Sequence, residues 1–232
     1  MCGIVGILGK KAVAGDLVDA LRRLEYRGYD SAGVATVEDG HLDRRRAEGK
    51  LKNLEIRLSN HPLQGRTGLG HTRWATHGKP VERNAHPHMN ERVAVVHNGI
   101  IENFQELRGE LSAKGHVFQT ETDTETVLHL VSDYLDQGVA PVDAARAALQ
   151  RLQGAFALAV IFAGEDNLMI GTDYSHADHI EFDGGVFHNL HQVQAASHQV
   201  GNDTVITLDA NNSITLHNVL MANLHAGDFT FG

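Results

Sequence analysis

Lysine and arginine are missing from the last third of this chain: all 20 lie at or before Arg151, and residues 152–232 contain none. The same stretch carries nine acidic residues, so the first 151 residues balance 20 basic against 20 acidic and the formal charge of −9 belongs to the tail. Nucleic-acid recognition needs a basic face, and this distribution predicts none. Cysteine is nearly absent as well. The single Cys2 excludes an intramolecular disulfide and a cysteine-rich zinc cluster, leaving a thiol that is either inert or reactive. No window approaches eighteen apolar residues, so no membrane span is predicted. Lys10 and Lys11 interrupt the opening apolar run before a leader core can form, which predicts a cytoplasmic protein. At 232 residues the chain has room for one large domain, or one domain and an appendage.

What is present is a mixture of strand and helix signals. Gly3–Leu8, Ala32–Val37 and Val93–His97 read as strands, the last ending at the turn dipeptide Asn98-Gly99. Val13, Leu17, Leu21 and Leu24 recur at helical spacing before Gly28. Phe104, Leu107 and Leu111 mark a second helix closed by Gly115. Thr122 with Glu125 has the capping-box pattern ahead of a third. Pro141 opens a fourth, with Val142, Ala145, Leu149 and Leu152 on one face. Ala155–Phe162 is a continuous apolar run of strand length. Without strict βαβ alternation these elements predict a layered α+β domain over residues 1 to about 165. The texture then changes. Thr204–Leu208 and Ser213–Leu216 flank Asp209-Ala-Asn-Asn212 as a hairpin, and seven of the sixteen histidines fall in residues 166–232.

Candidate chemistry starts at Cys2. Removal of Met1 would leave its α-amine free, with an ordinary pKa of about 7.7–8.0, close enough to neutral to act as base toward its own thiol. His71–Gly78 packs Arg73, Trp74, Thr76 and His77 together, and Arg73 suits a substrate carboxylate. Asn98 and the Gly99 N–H are suitable donors to a developing oxyanion. Asp123, at a helix start, suits a substrate ammonium. Each residue also has a plainer reading. Cys2 is an inert core thiol, Asp123 a helix cap, Asn98-Gly99 a turn and Trp74 core. On the same reading His77, His86 and His97 are structural or orienting groups.

Five motifs occur together and in order: Cys2–Gly6, Arg23–Gly33, His71–Gly78, Val96–Asn103 and Glu121–Glu125. In these the chain resembles the glutaminase domain of the glutamine–fructose-6-phosphate aminotransferase (glucosamine-6-phosphate synthase) family. The resemblance implies a four-layer αββα sandwich of the N-terminal nucleophile hydrolase type, with two antiparallel sheets between helical layers. It implies L-glutamine as substrate and Cys2 as nucleophile, with Asn98 and Gly99 at the oxyanion. Arg73, Trp74, Thr76, His77 and Asp123 would then hold glutamine, and Arg27 and His86 would support the site. Neither a metal nor another cofactor is implied. Family enzymes continue into two sugar-isomerase domains that bind fructose 6-phosphate. No room for these is expected here, which limits the chain to releasing ammonia.

Residues 166–232 do not follow that family pattern. Tyr174–Asp183 and Gly201–Leu216 resemble the end of RTX-type calcium-binding proteins, but the glycine–aspartate nonapeptide that ligates calcium is absent. Expectations for this part are a divergent or chimeric β-rich tail that either completes the sandwich or leaves its edge open. His176 with His179 and His188 with His191 offer metal-like spacing, for which solvated surface histidines are the plainer reading.

Overall fold

Phe156–Phe162 is apolar at all seven positions, a pattern suited to a strand covered on both faces. A computed structural model supplies that cover. It describes residues 2–75, 77–165, 168–172, 179–182, 186–209, 212–217 and 219–231. The strands are β1 (Gly3–Leu8), β2 (Ser31–Glu38), β3 (His41–Glu48), β4 (Thr67–Arg73), β5 (His88–Met89), β6 (Val93–Gly99) and β7 (Phe156–Phe162). The tail adds β8 (Leu168–Thr172), β9 (His179–Phe182), β10 (Ser197–Val200), β11 (Asp203–Asp209), β12 (Asn212–His217) and β13 (Phe229–Phe231). Helices are α1 (Ala14–Arg23), α2 (Leu51–Asn60), α3 (Phe104–Ala113), α4 (Thr124–Asp136), α5 (Pro141–Arg151) and the short α6 (Leu190–Ala195).

Strand alternation sorts the apolar residues into three cores. Ala157, Ala159 and Ile161 of β7 face inward with Ala94 and Val96 of β6, meeting Ile4, Leu8, Ala35, Val37 and Leu69 of the other sheet. Their neighbours Leu158, Val160 and Phe162, with Val93 and Val95, face outward onto Leu107, Val127, Leu130, Val131 and Ala148 of α3, α4 and α5. Val5, Ile7, Ala32 and Val34 cover the remaining face with Leu17, Leu21 and Leu54 of α1 and α2. The result is the four-layer αββα sandwich of the α+β class.

Two differences from expectation have clear causes. The first concerns the start of α4, where Thr122 Oγ1 accepts from the Glu125 N–H at 3.4 Å but Asp123 is the cap. Glu125 does not turn back to Thr122; its carboxylate takes the N–H groups of Gln119 and Thr120, both at 2.7 Å. The second concerns the sheets, ordered β13-β9-β1-β4-β2-β3 and β10-β11-β12-β8-β7-β6-β5. All ladders among β1 to β8 are antiparallel, but the tail brings three parallel ones, β1 with β9, β9 with β13 and β8 with β12. Parallel partners must be reached by a crossover, and the chain between β8 and β12 visits the other sheet before returning.

Tail strands therefore pair into both sheets and leave neither β1 nor β7 as an edge. Phe182, Phe187, Ile206, Ile214, Leu216 and Phe229 fill part of the inter-sheet core, and the Phe182 ring lies 4.9 Å from Phe187 and 5.8 Å from Phe229. Most of Tyr174–Asp183 lies outside the described residues, as does His176. Within Gly201–Leu216 the described residues form an antiparallel hairpin, β11 with β12, instead of the stacked parallel turns of an RTX roll. His188 and His191 are exposed, and among the described residues no group of three or more ligand-type side chains could hold a metal. No described helix is long and apolar enough to cross a membrane.

Candidate active site

Pairing register brings the first strand to the site. Gly3 of β1 lies opposite Thr72 of β4, so Cys2 falls beside the Arg73–Trp74 turn. The Trp74 N–H donates to Cys2 Sγ at 3.2 Å. Burial pushes the Cys2 thiol pKa up, against the Trp74 N–H and the Arg73 charge, which pull it down. A thiol in this state needs a base.

The second sheet contributes through alternation. Ala94 and Val96 face the other sheet, which places the Asn98 side chain on that face too, and its Oδ1 lies 2.8 Å from His71 Nε2 of β4. His97 points the opposite way, with Nδ1 3.1 Å from Thr124 Oγ1 of α4. Gly99 closes β6 at φ 109°, and a Cβ there would stand 2.2 Å from the Ala155 carbonyl oxygen. Both the backbone conformation and the neighbouring strand demand glycine at this position.

Asp123 is buried at the N-terminus of α4, so the cap reading and the site reading describe one residue. Its Oδ1 accepts from Thr124 N and its Oδ2 from Ile101 N, each at 3.0 Å. His97 Nδ1 stands 3.7 Å from Oδ1 and His77 Nδ1 4.0 Å from Oδ2. Arg73 is buried as well, and its guanidinium donates to the carbonyls of His77, Gly78 (3.2 Å) and Lys79 (3.4 Å). It therefore folds the 77–79 loop over the site as well as charging it. Asp30 supports the same turn, accepting from Ala75 N at 2.5 Å. Trp74 is 54% exposed and is not core. Gly28, at φ 75°, turns the chain beside its ring.

These groups surround one cavity of about 450 Å³, lined by Cys2, Arg27, Arg73, Trp74, His77, His86, His97, Asn98, Gly99, Ile100, Thr122, Asp123 and Thr124. Every candidate from the sequence is on that wall except Thr76, which lies outside the described residues. Sequence reasoning passed over Thr122, Thr124 and Ile100 on the wall, and His71 and Asp30 behind it. The motifs contained all five, but nothing local separates a wall residue from a supporting one. His86 and His97 on the wall and His71 and His88 behind it are buried together, and burial drives the pKa of each down, to about 3 for His71.

Sequence comparison bears directly on this arrangement. The family profile described as "Glutamine amidotransferase domain" matches residues 71–176. The glutamine–fructose-6-phosphate aminotransferase [isomerizing] of Bradyrhizobium diazoefficiens is 72% identical over 171 residues, 74% of this chain and 28% of that protein. This chain carries a glutamine amidotransferase domain. The Brucella suis biovar 1 enzyme of the same name matches this amidotransferase domain at 66% identity over 171 residues, again 74% of the chain and 28% of the relative. That of Bartonella henselae matches at 63% over 170 residues, 73% and 28%. The chain thus spans little more than a quarter of the length of these relatives. Among solved structures, glutamine phosphoribosylpyrophosphate amidotransferase from B. subtilis superposes on the domain with a TM-score of 0.60 at 25% identity, covering 70% of this chain and 35% of that one. The sandwich is that of the N-terminal nucleophile amidotransferases.

Proposed function

We propose that this chain hydrolyses L-glutamine to glutamate and ammonia, with Cys2 as nucleophile once Met1 has been removed. The carrying observation is the placement of Cys2, the Asn98-Gly99 pair, Arg73 and Asp123 around a single cavity of about 450 Å³. In the reading, the free α-amine takes the thiol proton and Cys2 Sγ attacks the side-chain amide carbon. The oxygen becomes an oxyanion held by Asn98 Nδ2–H and Gly99 N–H, donors aimed where charge develops. Collapse returns the proton to the leaving nitrogen, and ammonia departs from a thioester. Water then adds to that thioester and releases glutamate and the thiol. Arg73 holds the substrate carboxylate and Asp123 its ammonium, with Thr76 and His77 as further contacts, Trp74 over the mouth, and Arg27 and His86 as support.

A finer reading goes with it. The ammonia is used by a sugar-phosphate module that binds fructose 6-phosphate, as the relatives' name, which joins glutamine to that sugar phosphate, suggests for them, and the reaction runs in the cytoplasm. Residues 166–232 are read as a divergent tail that completes the sandwich, an assignment supported by its strands in both sheets. Incubating the purified protein with glutamine tests the core reading, with intact mass recording loss of Met1. Stoichiometric labelling of Cys2 by a glutamine-like electrophile and steady release of glutamate are expected. Processed, cooperatively folded protein that makes no glutamate would reject it.

A further inference from the structure

The Asn98 carboxamide has two ends of opposite sense, an oxygen that only accepts and a nitrogen that only donates. Rotating it half a turn would present the oxygen to the oxyanion and oppose the reaction. Something must hold the oxygen away from the cavity. We infer that His71 is a positioning residue that fixes the Asn98 oxygen and so aims its N–H₂ at the oxyanion.

This rests on the glutaminase reading, and geometry carries it. His71 Nε2 lies 2.8 Å from Asn98 Oδ1, bridging the two sheets, while His71 is not on the cavity wall. An amide oxygen can only accept, so the imidazole donates from Nε2. The ring is itself held. His71 sits in the middle of a sheet, paired to Ile4 on one side and Gly33 on the other. It stacks on His86 with ring centroids 4.3 Å apart, and a Cβ on Gly33 would meet the His86 carbonyl oxygen at 2.2 Å. The same His86 accepts the His97 N–H at Nδ1 (3.4 Å), which leaves Nε2 to donate to Thr124 Oγ1 (3.1 Å). Two histidines thus hold the strand end, one through the Asn98 side chain and the other through the backbone just before it. Full burial keeps His71 neutral, so its donor role persists across the working pH range.

His71→Leu removes the donor with little change in volume, and the test compares it with His71→Gln, which can return an N–H near the same place. For His71→Leu, kcat for glutamate release should fall roughly 10- to 100-fold, less than or near the cost of losing an oxyanion donor outright. KM should stay within about threefold, and alkylation of Cys2 by iodoacetamide should be unchanged. His71→Gln should stay within about fivefold of wild type on the same scale. In an Asn98→Ala background His71→Leu should add about twofold or less, because the group it orients is gone. If His71→Leu does not fold, His71→Met is read on the same criteria. A variant lacking the donor that keeps more than half of wild-type kcat would overturn the inference. So would an equal loss in both backgrounds, which marks a purely structural role. Wild-type protein that makes no glutamate would reject the glutaminase reading and this inference with it.

Discussion

The buried histidines make stability depend steeply on pH. In the folded chain burial lowers the pKa of His71, His86, His88 and His97, so the unfolded chain binds their protons more tightly. The contribution is complete above the unfolded value of about 6.5 and is lost as pH falls toward the folded values. Each group held neutral through this range removes about 1.4 kcal/mol per pH unit below 6.5, so His71, His86 and His88, pushed furthest down, together remove about 4 kcal/mol between pH 7.5 and 5.5, and His97 adds to the loss. A domain of ordinary net stability, roughly 5–15 kcal/mol, would then unfold between about pH 5.5 and 4. Glu125 acts in the same direction lower down. Although its burial favours the acid form, bonds from His129, the Gln119 and Thr120 N–H groups and the Thr120 hydroxyl outweigh it and hold the carboxyl at about 2. That stabilisation is intact above the ordinary carboxylate range and is lost on further acidification. Urea denaturation followed by circular dichroism at pH 7.5, 6.5 and 5.5 measures the effect. His88→Gln should lower stability at pH 7.5 yet reduce the loss between 7.5 and 5.5 by about 1.3 kcal/mol. Free energies at pH 7.5 and 5.5 that agree within about 1 kcal/mol would refute the account, since even a single buried ring that takes up its one proton on unfolding removes more than that.

Three substitutions probe the rest. Gly99→Ala puts a methyl 2.2 Å from the Ala155 oxygen at φ 109°, and should cost about 3 kcal/mol or more and abolish glutamate release, read by chemical denaturation and by the glutaminase assay. Asp123→Ala removes the α4 cap and strands the Ile101 N–H, for about 2–3 kcal/mol, and should raise KM for glutamine at least tenfold through loss of the ammonium contact; an unchanged KM would remove Asp123 from the substrate site. Phe182→Ala empties a fully buried position in a tail strand and should cost about 3–5 kcal/mol, lowering Tm by roughly 10 °C in a scan. A smaller effect than 1 kcal/mol would detach the tail from the core.

Where neighbours in sequence carry the signal, the chain was legible. Strand β7, helix α4, the proline that opens α5 and the β11–β12 hairpin all follow from local pattern. Strand β4 was not visible, because Thr67–Arg73 has two glycines and a charged end instead of alternating apolar residues. It is buried because those glycines admit Leu17 and Leu21 of α1, which a Cβ would meet at 2.9 to 3.4 Å. Strand β3 is a charged edge, and α2 fully buries only Leu51 and Leu54, with Leu58 half-buried beside them and Ile56 exposed on another face, which blurs its apolar stripe.

Sequence alone determined the inventory: which residues bear the chemistry, which runs need two covered faces, and where charge disappears from the chain. These are properties of single residues or of spacings within a few turns. Tertiary structure decided the partners. It joined β1 to β4 across some 65 residues and to β9 across some 175, paired tail strands into both sheets, and set His71 against Asn98. Strand register between distant segments depends on how the layers fill each other's gaps, and no short stretch of chain encodes that alone.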